Sequence, residues 1–393
     1  MTGRRVVVIG AGVTGCSTAY QLAARGCQQV TVLDKAHVAG GPTGFSSGVV
    51  RQFYTDPVLV QMALQGRDTY AAFHDRVGAT AGFVQCGWLL AVTAANRDVA
   101  EEGLRIQADV GVDSRWVSPA EVVDLVPGIN SEGIAGGVYE PTAGYADPPG
   151  AAQAFLDAAR RLGVDYRPRT PVISLLRRGA DVIGVQTPDE RLEADVVVAA
   201  AGPWTAGLVA SLGHELPITA SRHGIVTVRE RGRPARPVFS DPVNLVYTRP
   251  EGTDLTLIGS NDPGDAADLV DPDHCPSTAD SDELERMLAG ASSRLPSVAD
   301  GEVHASWSGV YDVSDDGFPL LGPLPGIGGL LIAAGMSGHG FKLAPAIGQI
   351  LTRAVLDADP DPRMHLFRPE RFETGDLVRS ITTSSLTSMR HDQ

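Results

Sequence analysis

Near the N-terminus four consecutive β-favouring residues, Val6-Val7-Val8-Ile9, run into Gly10-Ala11-Gly12-Val13-Thr14-Gly15. An apolar run without polar alternation reads as a strand buried on both faces, the habit of a parallel sheet. The glycines at 10, 12 and 15 have the G-x-G-x-x-G spacing, and each has its own reason. Gly10 permits a tight turn, Gly12 lets backbone approach a pyrophosphate, and Gly15 lets the following helix pack on the strand. The N–H groups of that helix's first turn, with its dipole, make an anion site without a charged side chain.

In a chain with 45 glycines the spacing alone is weak, and its context carries it. Residues 13–25 place apolar or small side chains at 13, 16, 19, 20 and 23, a helical stripe, and Gly26 follows as a stop. Val30-Thr31-Val32-Leu33 reads as a second strand and ends at Asp34, 19 residues past Gly15. An acid there accepts a hydrogen bond from a ribose 2′-OH and disfavours a 2′-phosphate, which argues for an adenine dinucleotide other than NADP. The fold class expected is α/β, with a Rossmann-like dinucleotide domain.

At 393 residues the chain is long for one core, so a second domain is expected. A net charge of −15 excludes the basic face that nucleic acid or an anionic membrane requires. The four cysteines (16, 27, 86 and 275) form no C-x-x-C pair, which fits reduced thiols rather than a disulfide frame or a metal site. No run approaches the ~18 apolar residues of a membrane span, and no signal-peptide pattern opens the chain. A cytoplasmic protein is the expectation, without metal.

Further along, residues 39–48 are too glycine-rich for regular structure, 58–77 read as one helix, and 83–92 as a strand. Ser118-Pro119-Ala120-Glu121 opens a short helix, and 136–139 begin a return toward the nucleotide domain. Strands are expected at 164–166, 172–177, 182–186 and 196–201, and a strand-rich region over 218–259. Residues 261–280, acidic and rich in Pro and Gly, read as a solvated surface loop, or less simply as a lid. A second glycine turn, Gly335-Met336-Ser337-Gly338-His339-Gly340, follows an apolar strand at 329–334 and precedes a helix over 344–358, with Pro345 suited to its first turn. Two helix N-termini roughly 320 residues apart suggest one long cofactor gripped at both ends. FAD fits better than NAD, because a reduced flavin carries negative charge at N1 and C2=O that a helix N-terminus stabilises.

These segments resemble the D-amino-acid-oxidase/glycine-oxidase/sarcosine-oxidase superfamily of FAD-dependent amine oxidoreductases, and its sarcosine-oxidase-like branch in particular. The resemblance spans residues 5–370 and rests on 6–15 with Asp34, 44–54, Cys86-Gly87-Trp88-Leu89-Leu90, Ala200-Ala201-Gly202-Pro203-Trp204-Thr205, 311–322 and 333–345; Gly-Met-Ser-Gly-His-Gly-Phe-Lys is the most specific piece. It implies a discontinuous FAD-binding domain (1–80, 140–215, 310–375), a substrate domain on an antiparallel sheet (81–139, 216–309) and a polar tail (376–393). Cofactor contacts are implied for Gly10, Gly12, Val13, Thr14, Gly15, Asp34, Lys35, Ser46, Ser47, Val172, Gly202, Trp204, Gly338, His339, Gly340, Phe341 and Lys342.

The resemblance further implies that Arg51 and Lys342 bind a substrate carboxylate, a pairing that also makes physical sense, since Arg offers a planar fork and Lys a point charge. His339 is a candidate base on a segment that relatives use mainly through its backbone, and His223 faces the substrate cavity in relatives, in a structural or a functional role. Two departures stand out. Relatives that tether the flavin do so through a cysteine where Gly309 stands, or through a histidine within 40–48, where there is none; FAD is therefore expected to be non-covalent. Oxidases often carry a lysine above the flavin on the strand matching 255–257, where Thr256 stands, which leaves O2 or another acceptor open.

The implied reaction is hydride transfer from the carbon α to a neutral amine onto flavin N5, with hydrolysis of the imine. The implied substrate is a small amino acid or secondary amine. A 2-hydroxy acid, a cyclic amine, or a flavoprotein subunit active only with partners remain alternatives. The protein would be a monomer or homo-oligomer, or part of a hetero-oligomer.

Overall fold

The computed structural model describes residues 3–232, 235–357 and 359–381. A six-stranded sheet runs in the order Leu320–Pro323, Leu330–Ala334, Val196–Ala199, Arg5–Ile9, Gln29–Leu33, Asp165–Arg167, parallel except for its first pair. The Arg5–Ile9 strand lies at its centre. Its even residues, Val6 and Val8, pack under the helices with Leu22, Phe155 and Ile347. Its odd residues, Val7 and Ile9, face Val182 and Val185 of an antiparallel three-stranded sheet on the other side. Both faces are covered, which is why the sequence shows a continuous apolar run.

The Val13–Ala24 helix packs against Pro148–Arg161 and Gly340–Leu356. Close approach to the latter needs a glycine, because a Cβ at Gly348 would stand 2.5 Å from Ser17 Oγ. Likewise a Cβ at Gly66 would stand 1.9 Å from the Lys342 carbonyl, so the Pro57–Ala71 helix can lie directly on the start of Gly340–Leu356.

The second large sheet has eight strands, ordered Glu302–Ser314, Ile218–Arg229, Leu255–Ser260, Val246–Glu251, Val238–Asp241, Trp88–Val92, Gly136–Glu140, Arg115–Val117. It is antiparallel except where Val238–Asp241 meets Trp88–Val92. One face, with Leu89, Val226, Phe239 and Ile258, is buried under the Ser281–Arg294 helix through Met287 and Ala291. The alternate residues face the other way, toward the first sheet.

Several expectations need correction. Residues 39–48 contain a one-turn helix, Pro42–Phe45. The helix expected over 58–77 breaks at Ala72 into Pro57–Ala71 and Phe73–Val77. The strand expected over 83–92 is Trp88–Val92, preceded by an isolated bridge at Val84 and by Gly87 at φ +83. Gly136–Glu140 belongs to the eight-stranded sheet, and the chain then passes to the Pro148–Arg161 helix beside the six-stranded one. The capping box at Ser118 forms as the spacing required, with Glu121 Oε2 accepting from Ser118 N at 2.9 Å.

The late helix starts at Gly340, four residues before the expected Ala344, and ends at Leu356; Ala358 lies outside the described residues, as does the polar tail beyond 381. Pro345 thus sits inside the helix, where it cannot donate to the Phe341 carbonyl one turn back. The Tyr70 hydroxyl donates to that carbonyl instead, at 2.7 Å, and the Tyr70 ring stacks on Phe341 with centroids 4.7 Å apart. Tyr70→Phe keeps the stacking and strands a buried carbonyl, so it should destabilise the protein by about 1–3 kcal/mol in urea unfolding. An unchanged midpoint would show that another donor reaches Phe341.

Candidate active site

Two cavities meet between the sheets. The first, of about 500 Å³, is elongated and runs from Asp34, Lys35 and Val172 past Gly10 and Gly12 to Tyr311, Gly338 and Phe341. Gly10 has φ +103, and a Cβ there would lie 2.3 Å from the Ala200 carbonyl. Gly15 does not line the cavity; a Cβ on it would collide with the Gly10 carbonyl at 2.0 Å, so it acts through packing. Thr43 Oγ1 accepts from Val13 N at 3.1 Å and borders the turn. Asp34 caps the edge of the cavity, one carboxylate oxygen accepting from Ala11 N and the other from Ala36 N, both at 2.7 Å. Each oxygen keeps a lone pair for a ribose hydroxyl.

Gly202 and Trp204, in the turn after Val196–Ala199, line the same cavity, as do Val13, Thr14, Ser46 and Gly340. Trp204 Nε1 donates to Asp273 at 3.0 Å, and the Lys35 ammonium sits 3.7 Å over the Trp204 ring while pairing with Asp273. Asp273 belongs to the loop read as solvated surface. That loop instead touches the cofactor cavity here and walls the second cavity with Asn261, Asp262 and Ala266.

At the far end the Leu330–Ala334 strand delivers Gly335 and Gly338 at positive φ into the Gly340–Leu356 helix. A Cβ on Gly338 would lie 2.8 Å from the Tyr311 ring. Asp312, buried beside it, presents an Oδ2 without a protein partner, and burial pushes its carboxyl up to about 6. A cleft with a glycine cradle, one helix N-terminus midway along it and another at its far end, and an orphaned buried acceptor fits an extended dinucleotide carrying hydroxyls. The residues present fit FAD.

The second cavity, of about 380 Å³, shares Tyr311 and Gly338 with the first and brings together all four candidate catalytic side chains, Arg51, His223, His339 and Lys342. Ser47 also lines it, so Ser47, His339 and Lys342 present themselves to this cavity and not to the first. Lys342 is 6% exposed, its Nζ is 3.4 Å from the Gly338 carbonyl, and among the described residues no carboxylate pairs with it. Burial and then the Arg51 charge hold its pKa well below the usual lysine value. The Arg51 guanidinium donates to the Phe53 carbonyl at 2.5 Å and lies 5.0 Å from the Tyr54 ring centroid. Behind it, Glu140 accepts from Gln52 N at 2.8 Å, anchoring the backbone next to Arg51; burial raises this carboxyl to about 7.

His339 Nδ1 and Tyr54 Oη are 2.9 Å apart, and the imidazole stacks on Phe318. Burial, then the Lys342 and Arg51 charges, keep it neutral. His223 Nε2 is 2.9 Å from Ser221 Oγ, its ring lies 4.0 Å from the Tyr311 centroid, and burial lowers its pKa to about 4. Tyr247 and Ser240, which sequence reasoning missed, line the same face of the eight-stranded sheet. The signal was present as strand alternation, but which parity faces inward needs the register.

Thr256 is the clearest correction. It does not face the cofactor: it is buried on the opposite face of the sheet, donating to Glu230 and accepting from Arg236 at 2.7 Å. Gly309 leaves room for Phe45, whose Cβ would lie 2.4 Å from a Cβ at that position.

Residues 5–354 match the family model described as FAD dependent oxidoreductase, and the chain belongs to that family, with FAD as its cofactor. The 4-methylaminobutanoate oxidase (formaldehyde-forming) of Paenarthrobacter nicotinovorans is 28% identical over 365 residues, covering 91% of this chain and 44% of that protein. The chain therefore spans less than half the length of this relative. Sarcosine oxidase subunit beta of Arthrobacter sp is 28% identical over 385 residues, 95% of this chain and 92% of the relative. The crystal structure of L-proline dehydrogenase from P. horikoshii shares the fold with a TM-score of 0.88 at 24% identity, covering 96% of this chain and 99% of that one. Among the described residues no helix is long and apolar enough to cross a membrane.

Gly12 has an ordinary φ of −71, and a Cβ there would meet only Thr43 Oγ1, at 3.2 Å. Gly12→Ala should therefore fold normally yet intrude on the pyrophosphate, weakening FAD binding about tenfold or more by spoiling close hydrogen bonds to a charged group. Flavin fluorescence on titrating the apoprotein measures this, and wild-type affinity would remove Gly12 from the phosphate path.

Proposed function

We propose that the protein oxidises the C–N bond of a small amino acid or secondary amine, as an oxidase or dehydrogenase with non-covalent FAD. The six-stranded sheet and its helices serve as the cofactor half, and the eight-stranded sheet as the substrate half. The observation that carries this reading is the cavity beside the cofactor cleft, in which a buried ammonium, Lys342, stands without a carboxylate partner among the described residues. A buried cation in such a place recovers its charge when an anion binds, so a substrate carboxylate is the complementary ligand. Arg51 adds a second cation on the same wall. The names of the relatives, a methylamino acid oxidase and a sarcosine oxidase subunit, support the same chemistry.

Bound FAD supplies the two-electron acceptor for the hydride leaving the carbon α to the amine. Arg51 and Lys342 fix the carboxylate and so orient that carbon toward the place where the two cavities meet, beside Tyr311 and Gly338. His223 and His339 are neutral near pH 7 and offer hydrogen-bond acceptors rather than a strong base. The substrate ammonium therefore loses its proton to water before reaction, and the free amine is the reactive form. The electron acceptor is O2 or another oxidant, and the protein works as a monomer, a homo-oligomer or a hetero-oligomer. The last is favoured by the 92% coverage of a relative that is itself a subunit.

The test is anaerobic flavin bleaching by a panel of amino acids, N-methyl amino acids and 2-hydroxy acids, followed by air. Bleaching by amines and not by hydroxy acids is the expected result; bleaching only by hydroxy acids would overturn the reading. Arg51→Ala should raise KM by the equivalent of about 1.5–3 kcal/mol, the worth of a hydrogen bond to a charged group, and unchanged kinetics would remove Arg51 from the site. The rate of bleaching should rise with pH as the substrate deprotonates, without an inflection from His223, whose pKa lies near 4. At higher pH, substrate binding should weaken as Lys342 discharges through its depressed pKa.

A further inference from the structure

The charges around the second cavity are arranged with a polarity that the carboxylate-binding wall alone does not explain. Arg51 and Lys342 make one part of the lining positive, and two carboxylates, Asp262 and Asp316, also line it. Asp316 is not available to a ligand: Arg371 holds both its oxygens, at 2.7 and 2.8 Å, in a buried fork. Asp262 is different. Its Oδ1 accepts from Gly264 N at 2.8 Å, and no cation among the described residues pairs with it.

Behind Asp262 the charge is negative again. Asp265, 7% exposed, has an Oδ2 without a partner, and Glu283, 5% exposed, has an Oε2 without one. Of the nearby cations, Arg286 stands 3.6 Å from Asp265 and is more than half exposed, where water screens it, and Arg222, which feels the Glu283 charge, is already paired with Asp268. Asp262 therefore borders the cavity with two buried, under-compensated carboxyl groups at its back. The cavity, about 380 Å³, is also far larger than glycine or sarcosine fills.

We infer that the substrate carries a second cationic group, on its nitrogen substituent or side chain, which Asp262 receives while Arg51 and Lys342 hold the carboxylate. Asp262 is thus a specificity-determining residue, selecting basic amino acids or N-aminoalkyl glycines over neutral and acidic ones. The inference rests on the amine-oxidising reading above and narrows it.

Three achiral probes separate the possibilities: N-(2-aminoethyl)glycine with a cationic tail, N-propylglycine with a neutral tail of similar length, and N-(carboxymethyl)glycine with an anionic one. Anaerobic flavin reduction of the holoenzyme should be about tenfold more efficient (rate over Kd) with the cationic tail than the neutral one, and least efficient with the anionic tail. The preference should shrink as ionic strength passes about 0.15 M, where the Debye length is near 8 Å. Asp262→Asn keeps a side-chain acceptor for Gly264 N and should bring the cationic-to-neutral ratio to within about twofold of one, while Asp262→Glu preserves it. If all three probes bleach the flavin at similar efficiency, or the ratio survives in Asp262→Asn, the inference is wrong and amine oxidation stands. If none bleaches it while neutral amino acids do, the inference is wrong and amine oxidation stands; if no amine of either panel bleaches it, the amine reading fails and this inference with it.

Discussion

Everything at the site depends on how closely two helices approach each other. The Val13–Ala24 and Gly340–Leu356 helices cross where Gly348 meets Ser17, with no space for even one additional carbon. Each helix follows directly from a strand of the same sheet, so this contact sets both N-termini along one cleft. Backbone N–H groups then gather midway along the cleft, where a dinucleotide has its pyrophosphate, and at its far end, where a reduced ring system would gather negative charge. No charged side chain is required for either grip.

The same helix builds the other cavity. Its first turn puts Lys342 in the lining of the second cavity and not of the cofactor cleft, while Gly338 and Tyr311 line both spaces where they meet. Gly66 allows the Pro57–Ala71 helix to press on the Lys342 carbonyl, and Tyr70 from that helix replaces the donor that Pro345 lacks. The Lys342 backbone is thereby held in a well-supported turn, with its buried side chain at the second cavity. A buried cation is costly without an anion, and on the proposed function the substrate carboxylate takes that role. Neutral histidines around it add polarity without adding charge.

The glycine turns, the central strand and the Ser118 cap were legible because each is a local pattern with a local cause. The early start of the late helix was not, since the hydroxyl that makes an internal Pro345 tolerable comes from residue 70. Thr256 was misplaced for a different reason. Side chains alternate along a strand, so an error of one residue in register moves a residue to the opposite face; here Thr256 opposes Val228, and the pair faces away from the cofactor cleft. The loop at 261–280 has the composition of solvated chain, yet Asp273 reaches Trp204 and Asp262 borders the second cavity. Contacts over such sequence distances leave no periodicity to read. Of the site, the four candidate side chains were found through family resemblance, whereas Tyr247, Asp262 and Asp312 required the assembled sheet.

The central claim is that a carboxylate held at Arg51 and Lys342 lies against the flavin where the two cavities meet, beside Tyr311 and Gly338. Its most direct test is titration of the oxidised holoprotein with a carboxylate that cannot be oxidised, such as acetate or methoxyacetate, while the flavin absorbance spectrum is recorded. The account predicts a saturable spectral change that weakens markedly in Lys342→Met. A spectrum that does not respond to carboxylates, or responds equally well without the lysine ammonium, would contradict it.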